Sequence, residues 1–148
     1  MRTAILAAVF VSAFAQSGVQ PFAGTWTATL AGQTYARLEL KVTDGSITGQ
    51  IRLGAFHIGR DGTVEAVMHT AQDSTATPIF DVALRNGVLS FARKDEDEID
   101  RFEMQLVGGD GKLTILLSPE IRAELTSQGV STVQPFTLKR VTPYSPVK

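Results

Sequence analysis

From Thr25 onward the chain alternates apolar and polar residues with period two, in short runs cut by turn dipeptides. Trp26, Ala28 and Leu30 alternate with Thr25, Thr27 and Thr29; Ala36, Leu38, Leu40 and Val42 alternate with Tyr35, Arg37, Glu39 and Lys41. A helix would scatter such residues around its circumference, whereas a strand sends them to opposite faces of a sheet. Asp44-Gly45 and Asn86-Gly87 are pairs favoured in two-residue hairpin turns. With Asp44-Gly45 as the turn, Val42 faces Ile47, Leu40 faces Gly49 and Leu38 faces Ile51, while the other face stays polar. Asn86-Gly87 sets Leu84 against Leu89 and Val82 against Phe91. Arg60-Asp61-Gly62 suits a three-residue loop with Gly62 in the left-handed region, pairing Ile58 with Val64 and Phe56 with Ala66. Gly108 to Gly111 closes a fourth hairpin, aligning Leu106 with Leu113 and Met104 with Ile115.

After Leu117 the period changes. Ser118-Pro119-Glu120 reads as an N-cap, a first-turn proline and an early acid, and Gly129 can end the short helix. Phe136, Leu138 and Arg140 then share one face of a last strand. A sheet this long must close on itself or leave two apolar-faced edges. The expected fold is all-β: an up-and-down antiparallel β-barrel of about 8–10 strands, with one short helix before the last strand.

The first residues follow a different pattern. Arg2 precedes an apolar run from Thr3 that ends in Ala13-Phe14-Ala15, the layout of a signal peptide with a small-x-small cleavage site. Residues 1–15 are therefore expected to be a signal peptide, cleaved near Ala15-Gln16, and residues 16–148 a single barrel domain. The implied location is secreted or periplasmic, and a chain without cysteine fits a bacterial export product better than a disulfide-built secreted domain. Zero Cys also excludes thiolate metal sites and cysteine nucleophiles. With 14 Lys plus Arg against 15 Asp plus Glu, the net charge of −1 offers no footprint for nucleic acid. The apolar run at the start is too short for a membrane span, and no later one is longer.

The segment Phe22-Ala23-Gly24-Thr25-Trp26, with Arg140 on the last strand, resembles the F-x-G-x-W start and the cross-barrel basic residue of the calycin families. These are the lipocalins, the cellular fatty-acid-binding proteins and the avidins. The resemblance implies a lipocalin-like barrel and the binding of a small ligand. The chain departs from each: no helical pair follows the first strand, Trp26 is its sole tryptophan, and lipocalin disulfides are impossible. Independently of the family, a guanidinium over an indole is attractive by about 1–2 kcal/mol when partly desolvated. Trp26 and Arg140 are thus expected to close the barrel structurally.

Strand order sends the tight turns to the end where Trp26 lies. The polar loops Ala31–Thr34, Thr70–Pro78 and Lys94–Ile99 go to the other, which is expected to be the mouth. Phe56, Met68, Phe80, Phe91, Phe102 and Met104 are expected to point inward; all but Met104, together with Arg93, are the candidate ligand-binding residues. Arg93 is in phase with Phe91, and continuing the Phe91–Phe102 register puts Asp100 opposite it. A cross-strand ion pair is the expectation, and a ligand carboxylate the alternative. Asp95-Glu96-Asp97-Glu98 reads as a solvated hairpin tip, with a cation site as the alternative. His57 and His69 are expected outward, which favours neither zinc nor a catalytic triad, and Gly108 to Lys112 lacks the spacing of a phosphate loop. No catalytic residue, metal or cofactor is expected. The chain reads as a non-enzymatic barrel that binds a small apolar or amphipathic ligand. The alternative is a protein-interaction or inhibitor barrel with a packed core.

Overall fold

The computed structural model describes residues 18–141; the expected signal peptide lies outside them. The strands are β1 (Gly24–Leu30), β2 (Gln33–Thr43), β3 (Ser46–Leu53), β4 (Ala55–Ile58) and β5 (Val64–His69). They continue with β6 (Thr77–Arg85), β7 (Val88–Asp95), β8 (Glu98–Val107), β9 (Asp110–Leu116) and β10 (Phe136–Arg140). Eight of them form a closed antiparallel barrel in the order β1-β10-β9-β8-β7-β6-β3-β2, and β4 and β5 form a separate two-stranded sheet. The barrel is thus an up-and-down meander interrupted once, between β3 and β6. A helix, α1 (Pro119–Ser127), precedes β10, with the Ser118 hydroxyl accepting from the Ile121 amide at 3.3 Å and Gly129 at positive φ beyond its end.

The Asp44-Gly45 and Asn86-Gly87 turns have positive φ at both central residues, as a type I′ hairpin requires. The register they set is the expected one: Val42 with Ile47, Leu40 with Gly49, Leu38 with Ile51, Leu84 with Leu89. At the fourth hairpin only Gly108-Gly109 form the turn, so Met104 faces Leu113, not Ile115, and Phe102 faces Ile115. That slip of two residues leaves every side chain on its expected face.

Two bulges change faces. In β6 an extra residue sits between Phe80 and Ala83, where Asp81 has φ of 53°. Beyond it Phe80 aligns with Ala92, and Ile79 with Arg93. Phe80, expected inward, is therefore outward and 38% exposed, and Ile79 packs on the core in its place. In β5 the pairing slips between Val64 and Ala66, so that Phe56 faces Val67 in place of Ala66. Val67 packs on the core, and Met68, also expected inward, is 57% exposed. A one-residue slip reverses every side chain past it, which is the physical reason for both corrections.

The barrel interior holds Trp26, Leu38, Ile51, Leu89, Phe91, Phe102, Met104, Leu113 and Leu138, all buried. The outward residues of β2, Arg37, Glu39 and Lys41, are charged, the reverse of a lipid-facing barrel wall. No described helix is long and apolar enough to cross a membrane.

Candidate functional site

The inward candidates are packed against one another. Phe91 and Phe102 are register partners whose rings stack at 5.2 Å and 18°. Eight strands give an interior that side chains can fill or that can hold one small ligand. Its tightness is measurable at Gly111, where a Cβ would come within 2.5 Å of the Met104 methyl and 3.4 Å of the Trp26 ring. A further carbon at that level would require the Met104 methyl to shift.

Phe56 is not inside the barrel. It sits on the β4–β5 hairpin, in contact with Tyr35 at 5.2 Å and with Phe136 at 5.4 Å between ring centroids, and Tyr35 meets Phe136 at 5.6 Å. Tyr35 reaches this cluster because a bulge between Ala28 and Thr29 of β1 leaves it unpaired in β2 and turns it in beside Ala36. Burial raises the Tyr35 phenol above its usual pKa. The hairpin lies over the barrel end at which β1 finishes and β10 starts. The Gly54 amide donates to the Tyr35 carbonyl at 2.8 Å, and the Gln134 amide donates to the Gly62 carbonyl at 2.8 Å. Phe56, Ile58, Val64 and Val67 pack on the core beneath. Asp61-Gly62 therefore lies at the end expected to be the mouth, and the hairpin covers that end. The cause is that β4 and β5 leave the barrel wall and do not span it.

Arg93 points into the barrel near the same end and is 13% exposed. Its Nε donates to Asp100 at 2.9 Å and its Nη2 lies 3.6 Å from Asp95, so its charge is answered within the chain. The acidic tip closes through a turn with Glu96 at positive φ, and no cluster of three or more ligating side chains forms among the described residues. His57 and His69 are exposed, and His57 Nε2 lies 3.2 Å from Glu65 on the outside of the hairpin.

At the opposite end the Arg140 guanidinium lies 4.1 Å from the centre of the Trp26 ring system. Its Nη2 donates to the Pro21 carbonyl at 2.6 Å and its Nη1 to the Ala23 carbonyl, while the Trp26 indole donates to the Phe22 carbonyl at 3.0 Å. Gly24 has positive φ, and a Cβ there would sit 2.9 Å from Arg140 Nη1, so this position of the motif tolerates only glycine.

One open concavity lies elsewhere, on the outer face of β1, β2 and β3. It is a polar groove of about 620 Å³, walled by the β1–β2 turn on one side and by Thr70–Gln72 on the other. Its floor carries Arg37 and Arg52, which are direct cross-strand partners, and next to them Glu39 and Gln50, which are also partners. Arg37 donates to Glu39 Oε2 through Nε at 3.3 Å and Nη2 at 3.1 Å, and Gln50 donates to Glu39 Oε1 at 2.5 Å. The Gln50 and Arg37 hydrogen bonds hold the Glu39 carboxyl below the usual carboxylate range. Arg52 Nη1 donates to the Ser74 carbonyl at 2.6 Å, tying the floor to the loop wall. None of these residues belongs to the inward set expected from sequence to hold a ligand. Compared with protein-family models, curated proteins and solved structures, the chain matches none.

Proposed function

We propose that the chain is a small exported β-barrel that works by binding from the outside, with a packed interior and the β1–β3 groove as its binding face. The observation that carries this reading is the buried interior, where Trp26, Phe91, Phe102 and Met104 are all buried and the Phe91 and Phe102 rings stack on each other. The Met1–Ala15 leader supports export. A groove lined by hydroxyls, amides and two arginines suits a polar ligand.

A second reading is favoured by one feature. The aromatic cluster of Tyr35, Phe56 and Phe136 lies beneath a hairpin outside the barrel wall, and a small apolar or amphipathic ligand could replace Phe56 there if the hairpin lifted.

Native mass spectrometry of protein purified from its own host, with titration of the neutral dye Nile red, separates the two. The packed reading expects no retained apolar ligand and no dye fluorescence. A retained apolar mass, or dye uptake that a fatty acid displaces, would replace it with the second.

A further inference from the structure

We infer that the β1–β3 groove binds a small molecule through a compact oxyanion group, a phosphate monoester or a pair of neighbouring carboxylates, held between Arg37 and Arg52. This rests on the reading that the outside of the barrel is its binding surface.

The register places Arg37 and Arg52 directly opposite each other on adjacent strands. Like charges in that relation destabilise a sheet. The core does not ask for them, because the inward neighbours Leu38 and Ile51 are what the interior uses. One carboxylate, Glu39, serves the pair, and it is engaged by Arg37 and Gln50. Arg52 is held by a backbone carbonyl, which orients it without neutralising it. The cluster therefore carries one positive charge in excess. Among the described residues, Arg37 Nη1 and the remaining N–H groups of Arg52 have no hydrogen-bond partner. Planar guanidinium forks bind oxyanions in bidentate fashion, and two facing forks suit a group with more than one charged oxygen.

The rest of the groove narrows the ligand. Its volume of about 620 Å³ is that of a small-molecule site. Thr27, Thr34 and Thr70 bring hydroxyls and Gln33 and Gln72 bring amides, so the body of the ligand is polar. No aromatic side chain lines the groove among the described residues, which removes the stacking platform a nucleobase would need. The arginine heads are set before binding: the Ser74 contact fixes Arg52, and Glu39 fixes one edge of Arg37. Such preorganisation lowers the entropy lost when a ligand is held.

The test is a backbone-amide NMR titration of the mature protein with inorganic phosphate and, separately, with citrate, sodium chloride keeping the ionic strength constant. The expected result is saturable shifts confined to Thr34, Arg37, Arg52, Gln72 and their neighbours, with a Kd of about 1 mM or below for at least one anion. Tighter phosphate binding identifies a phosphate monoester as the ligand's anchor, and tighter citrate binding identifies carboxylates. Arg37→Gln and Arg52→Gln should each weaken binding at least about tenfold, whereas Arg101→Gln, on the outer face of β8 beside Asp81, should not change it. Absent shifts, shifts spread over every basic residue, or binding that survives Arg52→Gln in a folded variant would overturn the inference. If neither anion binds and Nile red is still excluded, this inference fails while the packed-barrel reading stands. Uptake of Nile red would remove the packed-barrel reading whatever the anions do.

Discussion

Trp26→Ala is expected to lower the unfolding free energy by about 3–5 kcal/mol, the range for deleting a buried aromatic side chain. For a chain of this size that corresponds to about 10–20 °C in Tm. The indole is fully buried, covers Gly111, receives the Arg140 guanidinium and donates to Phe22. Its removal leaves a cavity at the level where β1 meets β10, which are joined here by the Trp26–Arg140 and Thr27–Lys139 pairs and by the Val141 amide donating to the Thr25 carbonyl at 2.8 Å. The barrel is therefore thinly paired at the seam that this residue fills, as it is between β3 and β6. Arg140→Ala should cost less, about 1–2 kcal/mol, because the guanidinium lies near solvent and loses one cation–π contact and two hydrogen bonds to carbonyls. In a double-mutant cycle the two should couple by about 0.5–1 kcal/mol. Trp26→Phe keeps most of the packing but not the bond to the Phe22 carbonyl, so it should fall between wild type and Trp26→Ala. Urea unfolding followed by far-ultraviolet circular dichroism measures the wild type and the four variants. A Trp26→Ala variant that unfolds at the wild-type midpoint would show that the seam is held elsewhere.

The distribution of what could be read from sequence has a physical pattern. Where apolar and polar residues strictly alternate, as in β2 from Ala36 to Val42, face and register follow from the turn alone, and both agree with the structure. The Arg93–Asp100 pair is legible for the same reason, since Val88 through Asp95 runs opposite Glu98 through Gln105 without a slip. The failures fall where two apolar residues are adjacent. Ile79-Phe80 and Val67-Met68 each fit the core in either phase, and a single bulged residue decides between them. No feature of the alternation marks that residue; Asp81 supports it with a positive φ that aspartate adopts more readily than most residues. The arginine pair of the groove is legible in the sequence, whereas its Thr70–Gln72 wall is not. The register that sets Leu38 against Ile51 also sets Arg37 against Arg52 one step further on, on the outer face. The exit of β4–β5 from the wall had no such signal. Its runs alternate like the others, and only the pairing of β3 with β6, through Gln50–Pro78 and Ile51–Thr77, shows that the barrel closes without it.

That separation makes the hairpin the place for the other large effect. Gly62→Ala is expected to free the β4–β5 hairpin while leaving the barrel folded. Gly62 has φ of 84°, and a Cβ there would collide with the Thr132 carbonyl, whose movement would also strain the Gln134–Gly62 hydrogen bond. Alanine in the left-handed region costs about 1–2 kcal/mol, and the backbone clash adds to it. A local penalty of about 2–3 kcal/mol corresponds to roughly 30–150-fold in the opening equilibrium. Hydrogen exchange should therefore quicken by that factor at the β4–β5 amides and at residues 132–134, with β7, β8 and β9 unchanged. Nile red, excluded by the wild type, should then reach Tyr35 and Phe136, because the hairpin is what covers them. If barrel and hairpin amides quicken together, the hairpin belongs to the cooperative core, and no ligand can enter beneath it without unfolding the protein. If the hairpin alone quickens and the variant takes up dye, the covered end becomes accessible at a cost of only a few kcal/mol, which is the condition the second functional reading needs.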